Sequence, residues 1–299
     1  MRDAIIHCDG SPEMTRNLAG LLSNDLPSLT EPATRFLLEC VEELPVKTPV
    51  YVALLGLLNK TASKFVEEFV NSLLERLELR LQSPNQDDQI RAKLLTRYIT
   101  MLPSVHVLKP SSAIDVLDAL LCAASDAADI AATRVSAKFT WQPRSDFLVK
   151  CALASTPWCG QSLASSTEPG SADAFDNLFR SVEEYLQKRS RSGPDPSSMT
   201  FASAVASADD DRTVVADDWL EEIFGRVNET RRAGRENPEA WTTASVPPLL
   251  SVFEEFSPES MTQETSNVHT PPPMKVPGVS IDAGAATALA TFPVRPRLR

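Results

Sequence analysis

Glycine, tyrosine and histidine are all scarce in this chain of 299 residues, with ten, three and three copies. So few glycines leave neither a phosphate-cradling P-loop nor a dinucleotide fingerprint to be written, because both need Gly at fixed spacing for close backbone approach. The histidines are His7, His106 and His269. His7 and His269 fall in segments that read as disordered, and His106 sits in a helix connection as a surface or capping residue. A nucleophilic triad needs a base oriented by an acid, and no segment supplies that arrangement. Five cysteines, Cys8, Cys40, Cys122, Cys151 and Cys159, are odd in number and loosely spaced, which argues against a disulfide framework or a zinc site. A reducing compartment fits them best. No signal peptide and no run of ~20 apolar residues is visible, so a soluble protein is expected. The acidic pairs Glu42-Glu43, Glu67-Glu68, Glu183-Glu184 and Glu221-Glu222 are adjacent, splay over different helix faces and read as solvated surface. No enzyme, cofactor or metal is expected.

Charge is the next constraint. A formal net charge of -11 and a pI near 4.9 make the chain a poor general binder of phosphate backbones. Any work on RNA would then run through a partner or a local patch. Two basic stretches stand out: Lys188-Arg189-Ser190-Arg191 at a helix end, read chiefly as a complement to the helix dipole, and Arg226, Arg231, Arg232 and Arg235. The second is a hypothetical contact for an acidic partner or RNA. Trp158, Trp219 and Trp241 are the large aromatics to test at an interface, although such rings more often pack inside. The partner-binding candidates are Trp219, Arg231, Arg232 and Trp241.

What is abundant is leucine and alanine in helical periodicity. Phe36, Leu37, Cys40, Val41 and Leu44 share one face between Pro32, placed for a first helical turn, and Pro45, a stop. Tyr51, Leu54, Leu55 and Leu58 form the next stripe. Phe65, Phe69, Leu73, Leu77 and Leu81 recur every four residues, with Glu67, Glu68, Glu75, Arg76 and Arg80 on the wet side. Ile90, Leu94, Leu95, Tyr98 and Leu102 lead to Pro103. Ile114, Leu117, Leu120 and Leu121 follow Pro110, and Phe147, Leu148, Cys151 and Leu153 lead to a stop at Pro157. Phe175, Leu178, Phe179, Val182, Tyr185 and Leu186 make another helix, and Trp219, Ile223, Phe224 and Val227 a last one. Leu26-Pro27, Leu44-Pro45 and Leu102-Pro103 each close a helix. Seven or more helices in series with proline stops favour an all-α, HEAT-like helical-repeat solenoid over a single closed bundle.

Residues 190–211 shift to Ser, Pro, Ala and Asp, with the run Asp209-Asp210-Asp211, and read as a loop. Beyond Ser257 the chain is rich in Pro, Ser and Thr, and no packed core is expected there. The division is therefore a helical-repeat domain over 14–256, with a loop at 190–212, and a disordered tail over 257–299. Ser257-Pro258 and Thr270-Pro271 in that tail have the form of proline-directed phosphorylation sites.

Five segments, in order, resemble the large subunit of the nuclear cap-binding complex: Val52-Ala-Leu-Leu-Gly-Leu-Leu-Asn59 with Phe65-Val-Glu-Glu-Phe-Val70; Leu153-Ala-Ser-Thr-Pro-Trp-Cys-Gly160; Ser181-Val-Glu-Glu-Tyr-Leu-Gln-Lys-Arg189; Asp218-Trp219 through Val246-Pro247-Pro248; and His269-Thr-Pro-Pro-Pro273 with Met274 and Pro277. The resemblance implies a fold like the middle domain of the translation initiation scaffold. It implies a non-catalytic nuclear scaffold, shuttling to the cytoplasm. Its small RNA-recognition-motif partner grips the cap, while the scaffold recruits RNA processing, splicing, export and decay factors. A general HEAT-like adaptor in translation initiation or RNA decay is the alternative. The sequence departs from the family at Phe139-Thr-Trp-Gln-Pro143, which interrupts a helix, at Val279 to Arg299, and in lacking the basic stretch expected near the start and two further helical domains.

Overall fold

The computed structural model describes residues 2–133, 142–189, 218–237, 240–243, 256 and 268–276. They form α1 (Arg2–His7), α2 (Pro12–Glu43), α3 (Thr48–Thr61), α4 (Ser63–Gln82), α5 (Gln86–Met101), α6 (Pro110–Thr133), α7 (Gln142–Ala164), α8 (Ser171–Lys188), α9 (Trp219–Glu236) and α10 (Ala240–Thr243). Among the described residues there is no strand, only one isolated bridge.

The helices stack in pairs. Within each pair, α2 packs on α3, α4 on α5, α6 on α7 and α8 on α9. Successive second helices also touch, α3 on α5, α5 on α7 and α7 on α9, and the first helices do so at α2 on α4 and α6 on α8. Two parallel rows joined by short turns are the signature of a helical repeat, where each unit buries its apolar stripe against its neighbours. The fold class is therefore the all-α, HEAT-like one expected from periodicity.

Periodicity placed the core well. In α4 the fully buried residues are Phe65, Val66, Phe69, Val70, Leu73, Leu74, Leu77 and Leu81. Helix α3 is buried nearly all round, from Thr48 to Asn59, because it lies between α2, α4 and α5. Ile90, by contrast, was assigned to the α5 stripe and is exposed.

The proline stops were only partly right. α2 ends before Pro45, and α5 gives way to a 3-10 turn, Leu102–Val105, around Pro103. Leu26-Pro27 closes nothing. The helix runs on and kinks at Leu29, whose φ of -129° and ψ of 24° leave the helical region. Pro32 explains the position: its ring collides with the carbonyl four residues back, at Ser28, and it has no N–H to donate there. Pro157 does not end α7, which continues to Ala164. An internal proline costs about 3 kcal/mol, but stopping there would expose Cys159 and Leu163, both at 1% exposure or less. The hydroxyls of Ser155 and Thr156 bond back to the carbonyls of Cys151 and Ala152 in the same stretch, at 2.9 and 3.0 Å.

The tail contains an ordered piece. Residues 268–276 lie extended against the helices, with the His269 N–H on the Val107 carbonyl at 2.9 Å and Met274 and Val276 packed on the core. Phe256, 3% exposed, fits over Gly56, where a Cβ would stand 2.8 Å from its ring. His7 sits on α1, not in a disordered stretch, its ring Nδ1 2.8 Å from the Asp3 carbonyl oxygen. Ser257, the loop 190–212 and the interruption 139–141 lie outside the described residues.

Candidate docking surface

The last repeat is fastened by a buried ion cluster. Arg189, at the end of α8, has a side chain 1% exposed and pairs with Asp146 of α7 at 3.3 Å and with Asp218, the residue before α9. Tyr185 donates to Asp146 at 2.7 Å. Burial pushes the Asp146 carboxyl above its ordinary value, against the hydrogen bond from Tyr185 and the charge of Arg189. Asp218 also caps α9, accepting from the N–H groups of Leu220 and Glu221 at 3.0 and 3.1 Å. Lys188 pairs with Asp129 at 2.7 Å. Arg189 is thus a buried structural cation rather than part of a solvated basic patch.

That cluster aims α9, and with it the four candidate contacts. Trp219 is half-buried, with the Lys150 ammonium 4.9 Å from its ring centroid. Arg231 is engaged within the chain: it bonds Asp176 at 2.8 Å and Asn228 at 3.2 Å and lies 4.2 Å over Phe179. Arg232 is exposed. Trp241 is 2% exposed and lodges against Gly160 and Gly234, where a Cβ would stand 2.2 Å from its nearest ring atoms. Its ring centroid lies 6.2 Å from that of Phe175, the planes tilted by 55°. The structure therefore brings Trp219, Arg231 and Arg232 onto one helix and places Trp241 in the core beneath it.

A neighbouring feature escaped the sequence reading. Arg97 of α5 lies 4.3 Å over the Trp158 ring, its Nε is buried without an acceptor, and no acid among the described residues pairs with it. Burial pushes its guanidinium below the ordinary arginine value. Lys93 and Lys150 both act electrostatically on the buried Cys151 between them. After Asp88, α5 carries no acid, and the sole acid of α7 is the buried Asp146. The α5–α7–α9 row therefore groups Lys93, Arg97 and Lys150 with Trp158 and Trp219 on a chain of net charge -11, while α9 itself balances four arginines with four glutamates. Its sequence signal was Lys93 and Arg97, four residues apart on one helix face, with no acid on that helix after Asp88. Beside Trp158 opens a groove of about 630 Å³ lined by His106, Lys109, Ser162, Phe256 and Val268 among others.

Little here suits group-transfer chemistry. Burial pushes the Cys151 and Cys159 thiols up to about 12, away from the thiolate a nucleophile needs. His106, in the left-handed region at φ 56°, caps the 3-10 turn through its N–H, and its ring meets the Phe256 carbonyl at 2.8 Å. Among the described residues no His/Cys/Asp/Glu group is arranged to hold a metal ion.

The match to known proteins follows the stacked pairs. The MIF4G domain model matches residues 12–209, from the start of α2 to beyond α8. This chain belongs to the MIF4G domain family. Similarity runs further than that match. Nuclear cap-binding protein subunit 1 of Oryza sativa subsp. japonica is 29% identical over 254 residues, 85% of this chain and 27% of that protein. The Arabidopsis thaliana protein of that name is 29% identical over 233 residues, 78% of this chain and 25% of its own length, and that of Anopheles gambiae 24% over 267 residues, 88% and 29%. The chain thus spans about a quarter of the length of these relatives. At 254 and 267 residues the alignments exceed the MIF4G match, so they take in sequence outside the MIF4G domain itself.

Proposed function

We propose that this chain is a non-catalytic helical scaffold of a nuclear mRNA cap-binding complex. It supports a small cap-gripping RNA-recognition-motif subunit and recruits RNA processing, splicing, export and decay factors. It acts in the nucleus, with shuttling to the cytoplasm. The observation that carries this reading is the similarity to nuclear cap-binding protein subunit 1 beyond the MIF4G match, across 85% to 88% of the chain. A general MIF4G-like adaptor would account for 12–209 and leave the likeness outside it unexplained. Two physical facts agree with a scaffold. The acidic net charge disfavours direct grip on RNA, and the α5–α7–α9 row offers the cations of α5 and α7, beside Trp158 and Trp219, to an acidic partner. On that row Trp219 and Arg232 are the contacts, with Arg231 and Trp241 holding the helix that presents them.

The test is retention on a methylguanosine-cap resin with and without the small cap-binding subunit. Retention only in its presence supports the proposal. Co-purification with translation initiation factors, and none with the small subunit, would overturn it in favour of a general adaptor.

A further inference from the structure

The docked tail presents one side chain in an unusual way. His269 forms a parallel bridge with Leu108, its N–H on the Val107 carbonyl, and its ring Nε2 lies 2.9 Å from Asn59 Oδ1. Six residues on, the Lys275 N–H donates to Glu78 at 2.6 Å. Met274 and Val276 rest on α6 beside Ala119, Cys122, Ala123 and Ala127. Between these anchors stand Thr270, exposed, and three prolines that hold the backbone extended without any N–H to pair. A kinase that reads a Thr-Pro dipeptide needs that presentation: an extended chain, the hydroxyl outward and a proline next.

The bridge also supplies a neighbour. The two chains run in the same direction through the bridge, so the residues that follow the paired ones leave it from adjacent positions. Lys109 follows Leu108 as Thr270 follows His269, and both are exposed. We infer that Thr270 is a phosphorylation site for a proline-directed kinase, and that Lys109 holds the phosphate and clamps the tail onto the helices. The Thr270 hydroxyl oxygen attacks the γ-phosphorus of a nucleoside triphosphate. The bond to the bridging oxygen breaks, a nucleoside diphosphate leaves, and the hydroxyl proton passes to the kinase base. Two acids compete nearby, Glu168 beside Lys109 and Glu67 beside His269. Glu168 is already satisfied by the N–H and hydroxyl of Ser111 at 2.9 Å each and by Ser171 at 3.1 Å. It gives up little if Lys109 turns to a phosphate, which carries close to two charges.

The full chain would be treated with a proline-directed serine/threonine kinase and ATP, then read by peptide mass spectrometry and amide hydrogen exchange. The expected result is phosphate on Thr270, lost in T270A, and about tenfold slower exchange at the His269 and Lys275 amides. K109A should still take the phosphate but lose the slowing, and K109R should keep it. Phosphate on other sites with none on Thr270 would overturn the inference. So would phosphorylated Thr270 whose tail amides exchange as fast as before, or faster.

Discussion

The first and last repeats use one device, a buried carboxylate held by arginine, in different surroundings. In the first, Glu42 is 2% exposed and meets Arg76 and Arg80 at 2.9 and 2.7 Å, but these arginines reach solvent, at 32% and 16% exposure. Arg80 is shared with Asp88 at 2.6 Å. In the last, Arg189, Asp146 and Asp218 are all sealed at 4% exposure or less. The first network decorates helices whose apolar stripes already fix their packing. The second joins α7, α8 and the start of α9 beneath the packed surface, and one tryptophan completes the join. An ion pair with access to water can be lost cheaply, whereas one partner of a sealed pair leaves the other charge stranded.

Breaking the sealed cluster should give the largest effect. D146A takes away one of the two sealed carboxylates on Arg189 and the acceptor of the buried Tyr185 hydroxyl, and should cost about 3–5 kcal/mol by urea denaturation. A cost below 1 kcal/mol would remove the contrast between the two repeats. W241A empties the seat between Gly160 and Gly234 and should cost about 3–5 kcal/mol. Its effect on amide exchange should be confined to α7, α8, α9 and α10. E42A should cost less, about 1–2 kcal/mol, because both released arginines can hydrate.

Acid should sharpen the comparison further. Burial alone would raise Glu42, but hydrogen bonds and charges from Arg80 and Arg76 hold it below the ordinary 4.5. Its stabilisation is full above the unfolded value and is lost as pH falls through the lowered folded value. Asp146 has the opposite sign: raised above 3.8, it takes up its proton in the folded state before the unfolded state does, so acidification there adds stability. Below pH 4.5, amide exchange should therefore accelerate in α2 and α4 before α7 and α8, and E42Q should abolish that order. The smallest effect belongs to R232E, exposed on α9, which should move stability by no more than about 0.5 kcal/mol. Any loss of partner capture in R232E can then be read as loss of contact. Unchanged capture would remove Arg232 from the docking surface.

Much of the fold was legible because a helix announces itself locally. The stripe from Phe65 to Leu81 gave α4 and its buried face, and Pro110 gave the start of α6. Pro157 misled because the signal for a stop is local while the burial of Cys159 and Leu163 that overrides it comes from other helices. Of the candidate contacts, Trp219 and Arg232 could be named from composition. Arg97 on Trp158 could not, since its partner is distant in sequence.

Amphipathic period, acidic charge and the scarcity of Gly and His belong to the order of residues alone, the first because it depends on neighbours within about one or two turns. Tertiary structure decided which charges are buried and which tryptophan is a plug. It also decided that 268–276 docks beside the 3-10 turn. Each of these rests on groups tens or hundreds of residues apart meeting at a few ångströms. His269 against Asn59 is the longest such step described, and the spacing of residues along the chain carries no record of it.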